Sequence, residues 1–175
     1  CSAIFAAFDW YMNGSNVDTE HRTLTADGCF AHCEDLDDVK AVNFPWPDPE
    51  KYISVEECKR RVEEAPADKT VFALMWACHF QDTCAAFGMQ TALMNMIEDP
   101  EMVHYVDDHI VDFYLKAQKI FLEATKGKVH AMLIGDDIGS QRGLMVSPQV
   151  IREFILPGAK KLIDQAHSYG VKIIY

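Results

Sequence analysis

The chain has 175 residues, 49% of them hydrophobic and 25% charged, with a formal net charge of −11. That acidity sets nucleic acid and membranes aside as partners, because polyanions are bound by basic surfaces, and no apolar run approaches the ~18 residues of a membrane span. The length supports one sizeable core but is short of the ~250 residues of a complete (β/α)8 barrel; the chain opens on Cys1 and stops at Tyr175 inside an apolar run, so a fragment or truncated piece is expected.

Residues 1–50 form an irregular N-terminal segment ending in a proline-rich linker. SAIFAAFDWYM (2–12) reads as a short helix or the remnant of one, broken by Asn13-Gly14-Ser15-Asn16. EDLDDVK (34–40) is a short acidic helical turn. In FPWPDPEKY (44–52), Pro45, Pro47 and Pro49 remove amide donors and push their predecessors out of the helical region, so an extended linker is expected.

Residues 51–175 read as the central βα units of one domain. Ser54-Val-Glu-Glu57 is a capping box that starts a helix to about residue 65, where Pro66 ends it. TVFALMW (70–76) is apolar without alternation, the pattern of a strand buried on both faces in a parallel sheet. Residues 80–98 look helical with a break near Gly88. Asp99-Pro100 supplies an N-cap and an N1 proline. The long helix after it carries Val103, Val106, Ile110, Phe113, Ala117, Ile120 and Ala124 on one stripe. Gly127 closes it and a strand over 129–134 follows. Ser147-Pro148 opens another helix, which Pro157 must kink or divide; Gly170 ends it, and VKIIY (171–175) is a third strand. Strand, helix, strand, helix, strand makes two βαβ units, hence a parallel sheet in a barrel or an open doubly wound fold.

Chemistry is expected where VHAMLIGDDIGSQRGLMVSP (129–148) leaves its strand, because parallel folds build their sites at the C-terminal ends of strands. Asp136 and Asp137 are the candidate catalytic residues. They can bind a polar substrate, act as acid or base, or orient a metal ligand; the plainer reading is that they cap a turn. Ser140, Gln141 and Arg142 share that loop and are candidate substrate-binding residues, Gln141 and Arg142 for a carboxylate. Trp76 and His79 stand after the first strand in the equivalent place. Trp76 would form a wall of the pocket, and His79 would be a ligand, a general acid or simply a histidine bonded near a helix start.

The six cysteines, at 1, 29, 33, 58, 78 and 84, are scattered and none follows Cys84. This suits free thiols in a reducing compartment, the cytoplasm, better than a disulfide framework. Cys29, His32, Cys33, Cys78 and His79 lack the tight paired spacing of structural zinc, so no metal ligand is assigned within the chain. No dinucleotide-binding glycine motif, P-loop, G-x-S-x-G or H-E-x-x-H is present.

Three segments taken in order, DLDDVKAVNFPWPDPEKY, the stretch from TVFALMWACHF to FLEA, and GDDIGSQRGLMVSPQVIREFILPGAKKLIDQAHSYGVKIIY, resemble the uroporphyrinogen decarboxylase superfamily over roughly residues 35–175. The resemblance implies part of a (β/α)8 TIM barrel. It implies either decarboxylation of a tetrapyrrole without a cofactor or zinc-dependent methyl transfer involving a corrinoid protein or a methylated small molecule. A non-catalytic barrel that binds a small molecule or corrinoid is the third alternative. The decarboxylase has a Glu/Asp-Ser-x-Ala-Gly-type loop where this sequence has GDDIGS (135–140), a departure that favours the methyltransferase side. There, a His-x-Cys motif follows a strand like VKIIY, so the zinc ligands are expected after Tyr175. The implied partners are a small-molecule substrate, a corrinoid protein and a second copy in a homodimer.

Overall fold

The computed structural model describes residues 27–75 and 79–175. Within them, helices pack on one face of a three-stranded parallel sheet. The expected helix over 2–12 lies outside the described residues.

Several helices start where a side chain takes up an orphan amide. Asp35 accepts from Asp38 N ahead of α1 (Leu36–Ala41). Ser54 accepts from Glu57 N ahead of α2 (Val55–Glu63). Glu57 turns its carboxylate to Arg60 and Arg61 on the solvent side. The proline-rich linker is not extended throughout: Asp48 caps a 3-10 turn over Pro49–Lys51. Its rings also pack, with Phe30, Phe44, Trp46 and Phe87 forming an aromatic cluster. Gly28 lets the stretch before α1 lie against the helix over His79–Phe87, since a Cβ there would lie 2.2 Å from the carbonyl oxygens of Ala85 and Ala86.

The helical stretch expected over 80–98 divides into α3 (His79–Phe87) and α4 (Met89–Glu98). Gly88 makes the break at φ +85, a left-handed backbone that costs glycine little. Asp99 caps α5 (Pro100–Ala124) by accepting from Met102 N. This helix is the spine of the fold, packing on α2, α3 and α4. Val103, Val106, Ile110, Phe113 and Ala117 are buried along it, as the stripe predicts.

The strands are β1 (Phe72–Leu74), β2 (Ala131–Leu133) and β5 (Lys172–Ile174), in the order β1-β2-β5 and parallel throughout. Phe72 pairs with Ala131, and Ala131 in turn with Lys172; Leu74 pairs with Leu133, and Leu133 in turn with Ile174. Each is shorter than its apolar run because the run's ends lie beyond the three-residue ladder. The loop after β2 contains a small hairpin, β3 (Gly139–Ser140) with β4 (Gly143–Leu144).

Among the described residues, only one face of β1 is covered. Ala73 and Met75 point into the helices, but Phe72 is 59% exposed and Leu74 is 51% exposed. The expectation of a strand buried on both faces is corrected: the described helices cover one side of the sheet only.

Before the last helix, Ser147 accepts from Val150 N and opens a single α turn, Pro148–Val150. Ile151–Ile155 then widens to a π-helix, and α6 (Leu156–Ser168) follows. Pro157 explains the widening. It has no amide to donate, and its ring would strike the carbonyl one turn back, so the extra residue per turn makes room. α6 packs on α5, and Gly170, at φ +75, reverses the chain into β5.

Candidate functional site

Asp136 leaves the C-terminal end of β2, the central strand, and turns back into the protein. Its carboxylate accepts the amides of Phe80 and Gln81, each at 3.1 Å. These are amides of the first turn of α3, so Asp136 caps that helix from a distant point in the chain and meets the positive end of its dipole. The side chain is 1% exposed. Burial pushes its pKa up to about 6, against the lowering influence of His79 and the two amides. The result is a buried carboxyl that exchanges its proton near neutrality.

His79 sits beside it, also 1% exposed. Nδ1 lies 2.7 Å from Asp107 Oδ1, and Nε2 lies 3.1 Å from the Ile155 carbonyl and 3.9 Å from Asp136 Oδ2. Burial pulls the His79 pKa down, but Asp107, Asp136 and the carbonyl outweigh it, and the net shift is upward. Thr83 Oγ1 donates to the same Asp107 oxygen at 3.0 Å. Tyr114 donates to Asp82 at 2.5 Å. Cys84 lies among these groups; burial, then the charges of Asp136, Asp107 and Asp82, push its thiol up to about 12.

Asp137 points the other way and is exposed. Its amide donates to Gln81 Oε1 and its carboxylate accepts from Gln81 Nε2, both at 3.3 Å. Adjacent carboxylates therefore have different surroundings: Asp136 is sealed into the fold, while Asp137 stands at the surface with a carboxamide beside it.

Of the other candidates, Ser140 is engaged in its own hairpin, donating to the Gly143 carbonyl at 3.1 Å and accepting the Arg142 amide at 3.2 Å. Gln141 and Arg142 are exposed at the hairpin turn. Trp76 lies outside the described residues. So the structure brings Asp136 to His79, leaves Asp137 at the surface, and puts Ser140, Gln141 and Arg142 together on a separate turn.

Gln81 and Asp107, with Thr83, Asp82 and Tyr114 around them, were not singled out in the sequence. Gln81 follows His79 by two positions, and only the fold brings it to Asp137. Asp107 could have been noticed, because it falls four residues after Val103 and three before Ile110, on the face of α5 that faces the core.

Among the described residues no three His, Cys, Asp or Glu converge as a metal-ligand set, and Cys29, Cys33, Cys58 and Cys84 are free thiols. No described helix is long and apolar enough to cross a membrane. A groove of about 790 Å3 runs between α2 and the open edge of β1, past Arg60, Phe72, Leu74 and Phe121; none of the candidate residues lines it. Compared with protein-family models, curated proteins and solved structures, the chain matches none of them.

Proposed function

We propose that this chain is the central part of a (β/α)8-barrel enzyme of the uroporphyrinogen decarboxylase type, on the side of that superfamily that transfers methyl groups with a corrinoid protein or a methylated small molecule. The observation that carries this reading is the pair Asp136 and Asp137 at the C-terminal end of the middle strand of a parallel sheet, where such folds gather their reactive groups. The ordered resemblance of residues 35–175 supplies the family. A barrel is supported by strand order: each parallel strand lies beside the next in the chain, as consecutive βα units require. The apolar face of Phe72, Leu74 and Ile174, turned away from the helices, suits a barrel interior.

The described residues do not fit a zinc ion. They offer no converging ligand set, and burial holds the Cys29 thiol up to about 11 and Cys84 up to about 12, far from the thiolate a metal needs. No step is assigned to a metal through them. Asp137 is the group that receives and orients a polar substrate, with Gln81 fixing its carboxylate. Asp136 and His79 hold the wall behind it.

The test is methyl exchange by the full-length protein, read from the visible spectrum of a methylated corrinoid. Transfer in the wild type, with kcat/KM lowered roughly 10- to 100-fold in Asp137→Ala, is expected. Absence of any exchange overturns the reading, and conversion of uroporphyrinogen to coproporphyrinogen would replace it with the decarboxylase.

A further inference from the structure

Three consecutive residues at the start of α3 face two consecutive residues at the end of β2. His79 Nε2 lies 3.9 Å from Asp136. Phe80 and Gln81 donate their amides to Asp136. The Gln81 side chain and Asp137 exchange two hydrogen bonds. The contacts form an unbroken chain from a buried imidazole to an exposed carboxylate.

The protonation of that imidazole follows from its partners. Nδ1 faces a carboxylate oxygen of Asp107 and Nε2 faces the Ile155 carbonyl. Both accept and neither donates. A neutral imidazole has one N–H and satisfies one of them; only the imidazolium satisfies both.

We propose that residues 79–81 and 136–137 form a proton-operated latch, closed while His79 is an imidazolium, which decides whether Asp137 is held in place at the strand end. The proposal rests on Asp137 as the substrate-facing group and adds a control on it.

The groups that face the latch come from every element around it. Asp107 and Tyr114 come from α5, Asp82 and Cys84 from α3 itself, Ile155 from the π-helical turn and Tyr175 from the end of β5, whose phenol burial and the Asp136 charge push up. Among these described groups His79 is the one cation, set against Asp107 and Asp136. When it loses its proton, the short Asp107 bond keeps the remaining N–H. The Nε2 side gives way, and Asp136 is left as a buried anion without its counter-charge. Its exit to water frees the amides of Phe80 and Gln81, and with them the hold on Asp137.

The sign follows by linkage. Both His79 and Asp136 have raised pKa values in the closed form, so the closed form binds more protons than an open one. Acid closes the latch and rising pH opens it.

The experiment is NMR on the whole chain from pH 5.5 to 9, reading the His79 ring nitrogens and the hydrogen exchange of named amides, corrected for intrinsic base catalysis. At pH 6.5 both ring nitrogens are expected to carry protons. Above the His79 titration, protection of Phe80 and Gln81 is expected to fall by about tenfold per pH unit, while Ile110 and Ala117 in α5 stay protected. A singly protonated His79 at pH 6.5, or protection of Phe80 and Gln81 that ignores pH, overturns the proposal. Gln81→Ala touches only the outer link: Asp137 N is expected to lose protection while Phe80 keeps it, and an unchanged Asp137 amide overturns the coupling. None of these readings uses methyl transfer. A responsive latch in a protein without methyl exchange would refute the function alone, and an unresponsive one in an active enzyme would refute the latch alone.

Discussion

Gly158→Ala tests how closely α6 is fitted to His79. A Cβ built on Gly158 lies 2.7 Å from His79 Cε1, 2.8 Å from His79 Nε2 and 2.8 Å from Val111 Cγ2. None of these atoms moves freely. The His79 ring is tied at one nitrogen to Asp107 and at the other to Ile155, and Val111 is buried in the core face of α5. In an open helix the same change gains about 1 kcal/mol, because alanine is the better helix former. Here overpacking costs about 1–3 kcal/mol, and a broken His79–Ile155 bond adds about 1–3 kcal/mol for the carbonyl left unpaired. The net expectation is a loss of about 1–5 kcal/mol. Urea unfolding followed by circular dichroism measures it. Gly135→Ala is the control, since nothing lies within 4 Å of its added methyl, and it is expected to stay within about 0.5 kcal/mol of wild type. A Gly158→Ala protein as stable as the parent would refute the close fit of α6 on His79.

Asp107→Ala strips the buried imidazolium of its nearer partner and Thr83 of its acceptor; a loss of about 3–5 kcal/mol is expected in the same unfolding assay, and a loss below 1 kcal/mol would remove Asp107 from the cluster. The pH dependence is also defined. Asp136 is raised from 3.8 to about 6, so between those values the folded chain binds more protons than the unfolded one and this residue's contribution falls as pH rises, by roughly 3 kcal/mol over the window. His79, also raised, contributes stability that is fully present below 6.5 and is lost as pH rises through its folded value. Urea midpoints of wild type and Asp136→Asn from pH 4 to 7 should diverge in slope, with the variant flatter; parallel curves would show that Asp136 carries no such strain.

What could be read in the sequence was what short-range chemistry decides. Ser54, Asp99 and Ser147 each accept the amide three residues on, and Gly170 ends its helix with a left-handed turn, so these boundaries needed no tertiary information. The three strands stand where their apolar runs place them. Their exposure was not legible, because whether Phe72 is covered depends on what packs over it and not on its neighbours in the chain. Asp136 was found at a strand end, but its partners lie more than fifty residues away, and nothing local in GDDIGS says which aspartate turns inward. Pro157 announced a disturbed helix. That the disturbance is a π turn followed by a glycine against His79 is decided by the neighbouring helix, since the missing amide alone allows a kink as well.

The sheet also has a kinetic consequence. Ala73 finds Met132, and Met132 finds Ile173, across roughly 60 and 40 positions of chain, and such non-local pairings form slowly because a long loop must close before any bond rewards it. α5 can form from its own local contacts in the meantime. Until the pairing is complete, β1 presents an unpaired apolar edge to solvent, which is a template for other chains. Refolding yield should therefore fall as protein concentration rises, and cooling or dilution during expression should recover it.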